Sequence, residues 1–352
     1  MNGNGTGFGM RVAVGQLNEL SDEILAYTAQ LGVGGIQLNT PRLPGETRWE
    51  TADLRALVDR CRAYGLRLEA IENVPIHFYD KAMLGLARRD EQIEHYRATI
   101  RHLGGAGIPI LGYHFMPNSV WRTSRTTPGR GGSHVTSFDL ALVGGTAAEQ
   151  RAFVAKRDER LAALPLFDDE EAVDEAAMWA NYAYFMRAVL PVAEEAGVRL
   201  ALHPDDPPVQ SLGGVARLFK DVAGFEKAFE IAGGSPAWGL DLCLGCCSEM
   251  PGGAANVTAM IERFGPLGRI FYVHLRDVQG TVPRFQECFL GEGNYDPAAV
   301  VLALKRSGFA GFLLDDHVPA VVNDTPWGHR SRAHAIGYIQ GLLNMMETTG
   351  AA

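Results

Sequence analysis

Cysteine is scarce in this chain: five among 352 residues, an odd number, scattered as Cys61, Cys243, Cys246, Cys247 and Cys288. That excludes a disulfide framework and fits a reducing, cytoplasmic setting. Runs of lysine or arginine are missing as well, and the net charge is −9, so no nucleic-acid partner is expected. Apolar runs do not exceed strand length, which speaks against a membrane partner. Met1 to Met10 is Gly/Asn-rich without a charged-then-apolar leader pattern, and residues 1–10 are expected to form a flexible tail. What the chain does have is apolar material: 47% hydrophobic residues, enough for one large α/β barrel or two ordinary domains. Small polar substrates are the class left open.

From Arg11 onward, short β-branched runs alternate with longer stretches of helical period, as repeated βα units require. Eight strands are expected, at 11–17, 35–39, 67–73, 108–115, 199–203, 239–243, 270–277 and 311–317. Segment 53–65 spaces its apolar residues three and four apart and ends on Gly65, suited to a helix C-cap; the same junction recurs at Gly107 and Gly197. Eight such units predict an α/β fold of the (β/α)8 TIM-barrel type, with residues 11–352 as a single domain. A doubly wound sheet is the lesser choice, because no Gly-x-Gly-x-x-Gly follows the first strand. One connection breaks the rhythm, the long insertion of about 118–174 after strand four. It leaves the C-terminal end of a strand, so it is expected to cover the site as a lid, with Arg122, Arg125 or Arg130 meeting an anionic substrate. The plainer reading is a solvated excursion with a short helix near 149–163.

The last four strands each end on a residue that binds metals: His203, Cys243, His274 and Asp316. In a parallel barrel all such ends converge on one face. Two imidazoles, a thiolate and a carboxylate suit a borderline divalent ion such as Mn2+, Zn2+ or Fe2+. Singly each signal is weak. His203 precedes a stiff Pro-Asp-Asp-Pro-Pro turn, Cys243 lacks the second Cys-x-x-Cys of a structural zinc site, and only one of Asp315 and Asp316 can face the centre. Their coincidence at four successive strand ends carries the expectation of a metal site.

The segments Ile71-Glu-Asn-Val-Pro-Ile-His77, His114-Phe-Met-Pro117 with Trp121 after it, Leu202-His-Pro-Asp-Asp-Pro-Pro208, Cys243-Leu-Gly245, Val273-His-Leu-Arg276 and Asp316-His317 resemble mannonate dehydratase, and the likeness runs from about 34 to 342. The resemblance implies a xylose-isomerase-like barrel, manganese held by His203, Cys243, His274 and Asp316, and removal of water from D-mannonate to give 2-keto-3-deoxygluconate. Zn2+, Fe2+, Co2+ and Mg2+ are the alternatives for the ion. Several positions depart from the family pattern. A tyrosine implicated in proton transfer aligns with His329, an aspartate with Val120, an asparagine with His114 and a His-Glu pair with Gln286-Glu287, while an arginine is shifted to Arg122. Residues that would touch substrate differ where the metal ligands are kept, which suggests a related chemistry on another sugar acid or keto-sugar.

Dehydrating an aldonate requires removal of a poorly acidic C2 proton, an enediolate stabilised by the ion, and protonation of the departing hydroxyl. His317 and His329 are the expected acid–base pair. Arg276 and Arg122 are candidates to clamp a carboxylate, and Glu72, His77, His114 and Trp121 to line the substrate. The alternatives are a sugar isomerase or epimerase, a keto-glycoside β-eliminase on the same metal barrel, and an inactive carbohydrate-binding barrel. A homo-oligomer is expected.

Overall fold

A computed structural model of the chain describes residues 9–157 and 172–349. Eight parallel strands close into a barrel: β1 (Arg11–Leu17), β2 (Gly35–Asn39), β3 (Arg67–Glu72), β4 (Ile110–Tyr113), β5 (Arg199–Leu202), β6 (Trp238–Cys243), β7 (Ile270–His274) and β8 (Phe312–Leu314). Each pairs with its neighbours in sequence, and β1 closes the ring on β8 through Arg11↔Phe312 and Val12↔Leu313. All eight expected strands are present, most a residue or more shorter than expected. Of the expected tail, 1–8 lie outside the described residues; Met10 is already buried in the core.

Inside the ring, alanines on β1, β3 and β5 (Ala13, Ala70, Ala201) leave room for Phe271, Tyr272 and Phe312, which fill the barrel axis. Tyr272 and Phe312 stack at 4.9 Å with rings 6° apart. This apolar plug closes the lower barrel and leaves only the C-terminal mouth for polar groups. Outside, the helix Glu175–Ala196 begins on Asp174, whose carboxylate accepts the Ala177 N–H at 2.7 Å, and ends on Gly197 at φ 66°, the left-handed cap glycine tolerates. It buries Met178, Tyr182, Phe185, Met186 and Val189, and the Tyr182 hydroxyl meets Trp238 of β6 and Tyr113 of β4. Burying this stripe immobilises the strands that carry His114, His203 and Cys243.

The insertion is not a bare excursion. Its strands Ser124–Pro128 and His134–Asp139 form a hairpin, which joins a second hairpin, Asp277–Thr281 with Arg284–Cys288, in a four-stranded antiparallel sheet. The expected strand 270–277 is thus two elements: β7 ends at His274, and Asp277 opens the second hairpin. A small core of Trp121, Phe138, Val154, Val209, Val278 and Phe285 holds this sheet beside the mouth. The expected helix near 149–163 is seen as Ala147–Arg157; its remainder, 158–163, lies outside the described residues. No helix among the described residues is long and apolar enough to cross a membrane.

Candidate active site

A cavity of about 710 Å³ opens at the C-terminal mouth, and the ends of β1, β3, β5 and β8 reach it through Gln16, Glu72, His203 and Asp316. Cys243 and His274 lie beneath, fully buried. Donor atoms of Cys243, His274 and Asp316 lie within 4.8 Å of one another, as do those of His203, Cys243 and Cys246. The four expected ligands thus fall in two groups that share Cys243, and His203 and His274 also belong to a third group with Glu72 and Asp241.

Local contacts orient each member. His203 Nδ1 pairs with the Pro204 carbonyl at 2.7 Å, so that nitrogen carries the proton and Nε2 is left as the lone pair. Cys243 ends β6 and starts the turn Leu244–Glu249; its sulfur accepts the Cys246 N–H at 3.5 Å and stands 3.5 Å from Arg276 Nη2. Burial opposes the thiolate, but Cys246, Arg276 and the two histidines outweigh it and hold the thiol well below its ordinary value. Asp316 sits at φ 47°, a conformation uncommon outside glycine, and that turn sends Asp315 to Arg332 (3.0 Å) while Asp316 Oδ1 accepts from Gln16 at 2.7 Å. Burial disfavours protonated imidazoles at His203 and His274, yet Asp241 leads a set of anionic neighbours that raises both above the ordinary histidine value. Among the described residues, neither ring nitrogen of His274 has a hydrogen-bond partner, nor does either oxygen of Asp241. A buried, electron-rich cluster of N, S and O atoms, with the His274 nitrogens and Asp241 oxygens left without a partner among the described residues, suits a divalent cation.

Arg276 is not on the cavity wall. It is 2% exposed and lies behind the ligands, bonded to Glu249 (2.9 Å), Glu287 (3.1 Å) and Cys246 (3.0 Å), with Asp316 at 3.1 Å. Gly245 makes that possible, since a Cβ there would fall 2.7 Å from the guanidinium carbon. The reading of Arg276 as a substrate clamp is replaced by that of a bridge between Cys243 and Asp316. Arg122 lines the cavity, but both of its terminal nitrogens hold Asp206, at 2.5 and 2.7 Å, so most of its charge is already matched. Arg125 lines the cavity as well, while Arg130 pairs at the surface with Glu292 at 2.5 Å.

His317 and Glu287 form a pair at 2.7 Å on the cavity wall, with the imidazole 39% exposed. Burial works against its charge, but Asp316 and Glu287 prevail and raise its pKa. His114 also faces the cavity; burial first, then His203 and Arg217, push it down to about 3, and its Nδ1 accepts the Met116 N–H at 3.2 Å. It is a neutral imidazole whose Nε2–H is free to donate. Glu72 lines the cavity floor.

Three expected residues are elsewhere. His329 starts the final helix and turns away from the cavity: Nδ1 pairs with Thr325 at 2.6 Å and the ring packs edge-on against Tyr27 and Trp327. Trp121 is 1% exposed in the core of the insertion, its N–H given to Asn118 O at 2.9 Å. His77 is exposed on the turn after β3, outside the cavity lining. Three functional neighbours were missed. Asp241 is two residues before Cys243 and so on the same strand face, a signal that period two made available. Glu249 and Asp206 had no such signal, because their burial against Arg276 and Arg122 is a tertiary matter.

A closed ring of eight parallel strands with polar residues at its C-terminal mouth defines the class, the (β/α)8 barrels. Within it, residues 15–351 match the D-mannonate dehydratase (UxuA) family. A mannonate dehydratase of Thermotoga neapolitana is 32% identical over 317 residues, covering 86% of this chain and 85% of the relative. One from Lactococcus lactis subsp. cremoris is 31% identical, covering 94% and 95%. The crystal structure of mannonate dehydratase from Streptococcus suis serotype2 superposes with a TM-score of 0.81 at 28% identity over 97% of both chains. An L-ribulose 3-epimerase shares the fold at TM-score 0.59 and 18% identity. The chain belongs to the mannonate dehydratase family.

Proposed function

We propose that this chain is a metal-dependent hydro-lyase that removes water from a sugar acid, with D-mannonate the first substrate to try and a 2-keto-3-deoxy acid the product. The observation that supports the reading is the pair of overlapping groups, His203 with Cys243 and Cys243 with His274 and Asp316, at an open polar cavity in a chain of this family. These residues fit a divalent ion, Mn2+ first among candidates: two imidazoles, a thiol held toward its thiolate and a carboxylate, with the nitrogens of His274 otherwise unpaired. When bound, the ion supplies positive charge that stabilises the enediolate as the C2 proton leaves.

The protein's own groups do the rest. His317, kept in orientation by Glu287, takes the C2 proton and returns it to the departing C3 hydroxyl, so that water leaves. His114 offers an N–H to a substrate hydroxyl, and Glu72 accepts from another. Arg276, pinned by Glu249 and Glu287, keeps the Cys243 sulfur anionic and Asp316 in place. His329 has no part in the proton transfers. Segment 118–157 supplies Val120, Arg122 and Arg125 to the cavity wall and serves as its cover, excluding water from the reacting carbons. The test is product analysis after incubation with a panel of aldonates, uronates and keto-glycosides, with and without Mn2+. Loss of one water from an aldonate is expected. Epimerised or isomerised product, or no turnover of any aldonate, would overturn the reading.

A further inference from the structure

Asp241 is fully buried on β6, and neither carboxylate oxygen has a hydrogen-bond partner among the described residues. An ionisable side chain in that position is costly unless it holds a charge or a proton donor. Strand period places it directly below Cys243, and its Oδ1 lies 3.5 Å from His274 Nε2. The opposite nitrogen, His274 Nδ1, lies 3.7 Å from Asp316 Oδ2. The two sides of one imidazole therefore face different carboxylates: Nδ1 faces Asp316, and Nε2 faces Asp241 and Glu72, which with His203 also stand close enough to share an ion. Glu72 also approaches Nε2, at 3.3 Å, but its Oε2 already accepts from the amides of Gln37 and Gln16 and it lines the cavity. Asp241 lies outside the cavity lining, with the buried Tyr272 hydroxyl and His203 as its other polar neighbours.

We propose that Asp241 is a positioning residue for the metal centre: its carboxylate takes the Nε2–H of His274 and leaves Nδ1 as the lone pair directed at the ion. This rests on the reading of His274 as a ligand. A metal-bound histidine commonly gives its second N–H to a carboxylate, which fixes the tautomer and makes the ring more basic. Here the carboxylate comes from the strand next to that of the histidine, Asp241 pairing in register with Tyr272, so both sit on one rigid wall of the barrel.

The test is a Mn2+ titration of metal-free protein, with free Mn2+ read by electron paramagnetic resonance and no substrate present. Asp241→Asn should weaken binding by about 10–100-fold, and Asp241→Glu should recover part of it. The thermal midpoint of the metal-free Asp241→Asn protein should equal or exceed that of wild type, because burial disfavours an ionisable carboxyl group at this position. An unchanged dissociation constant in Asp241→Asn would overturn the proposal alone. Wild-type protein that binds no Mn2+ would overturn the metal reading and this proposal with it. Nitrogen-15 imidazole spectra of Zn2+-loaded wild type give an answer that does not depend on the variants folding. A protonated Nε2 on His274 is expected, and a protonated Nδ1 would contradict it.

Discussion

Two histidines that look equally suited to proton transfer along the chain are separated by where their nitrogens point. His317 shares a 2.7 Å contact with Glu287 on the cavity wall, whereas His329 is spent on Thr325 and two aromatic rings. His317→Asn is expected to lower kcat by about 10²–10⁴-fold with metal content unchanged. His329→Ala is expected to keep kcat within about three-fold of wild type, as suits a group that neither reaches the cavity nor any substrate in it. Steady-state kinetics beside metal analysis checks both; a large loss in the His329 variant with full metal content would reverse their roles. Behind the site, Arg122 is the main partner of buried Asp206, and Arg122→Met should cost about 3 kcal/mol by leaving that carboxylate only the weaker contact with Arg276 at 3.4 Å. Burial disfavours the charge on Asp206, and Arg122 with Arg276 more than compensates, so its folded pKa is lowered. A lowered carboxylate pKa stabilises the fold above the unfolded value of about 4 and loses that contribution as pH falls below it. The deficit of Arg122→Met, measured by denaturant titration, should therefore shrink between about pH 5 and pH 3.

Strands and helices were read from local pattern because their determinants are local. Alternation and period name the eight strands, and a residue at a strand end keeps its place whatever surrounds it, which is why His203, Cys243, His274 and Asp316 are legible as strand-end residues. The antiparallel sheet could not. Its pairing joins segments more than a hundred residues apart, as in Arg284↔Asp139, and the apolar residues 270–273 with Leu275 after them hide the break at Leu275-Arg276. Trp121 and His329 failed for a related reason: both lie in connections, where side-chain direction is set by tertiary packing rather than by period. At this scale the two hairpins beside the mouth are expected to act as one cover. Proteolysis within 118–157 should slow when a non-reacting sugar acid is present, since a ligand that binds only the closed form stabilises it. Equal cleavage rates with and without the ligand would refute a closing role.

The whole molecule divides its labour between an apolar lower barrel and a charged mouth. Tyr272 and Phe312 fill the axis, and immediately above them ionisable groups from β3, β5, β6, β7 and β8 crowd into one small volume. Such a concentration of buried carboxylate, thiol and imidazole opposes folding unless a cation shares the space, so bound metal should also stabilise the protein against heat in a concentration-dependent way. The central claim is that one divalent ion sits where the last four strands end. The most direct measurement is an anomalous difference map from a crystal of the Mn2+-loaded protein, recorded on the manganese absorption edge. One peak per chain is expected, bonded to His203, Cys243, His274 and Asp316; a peak held by other residues, or none at these four, would contradict it.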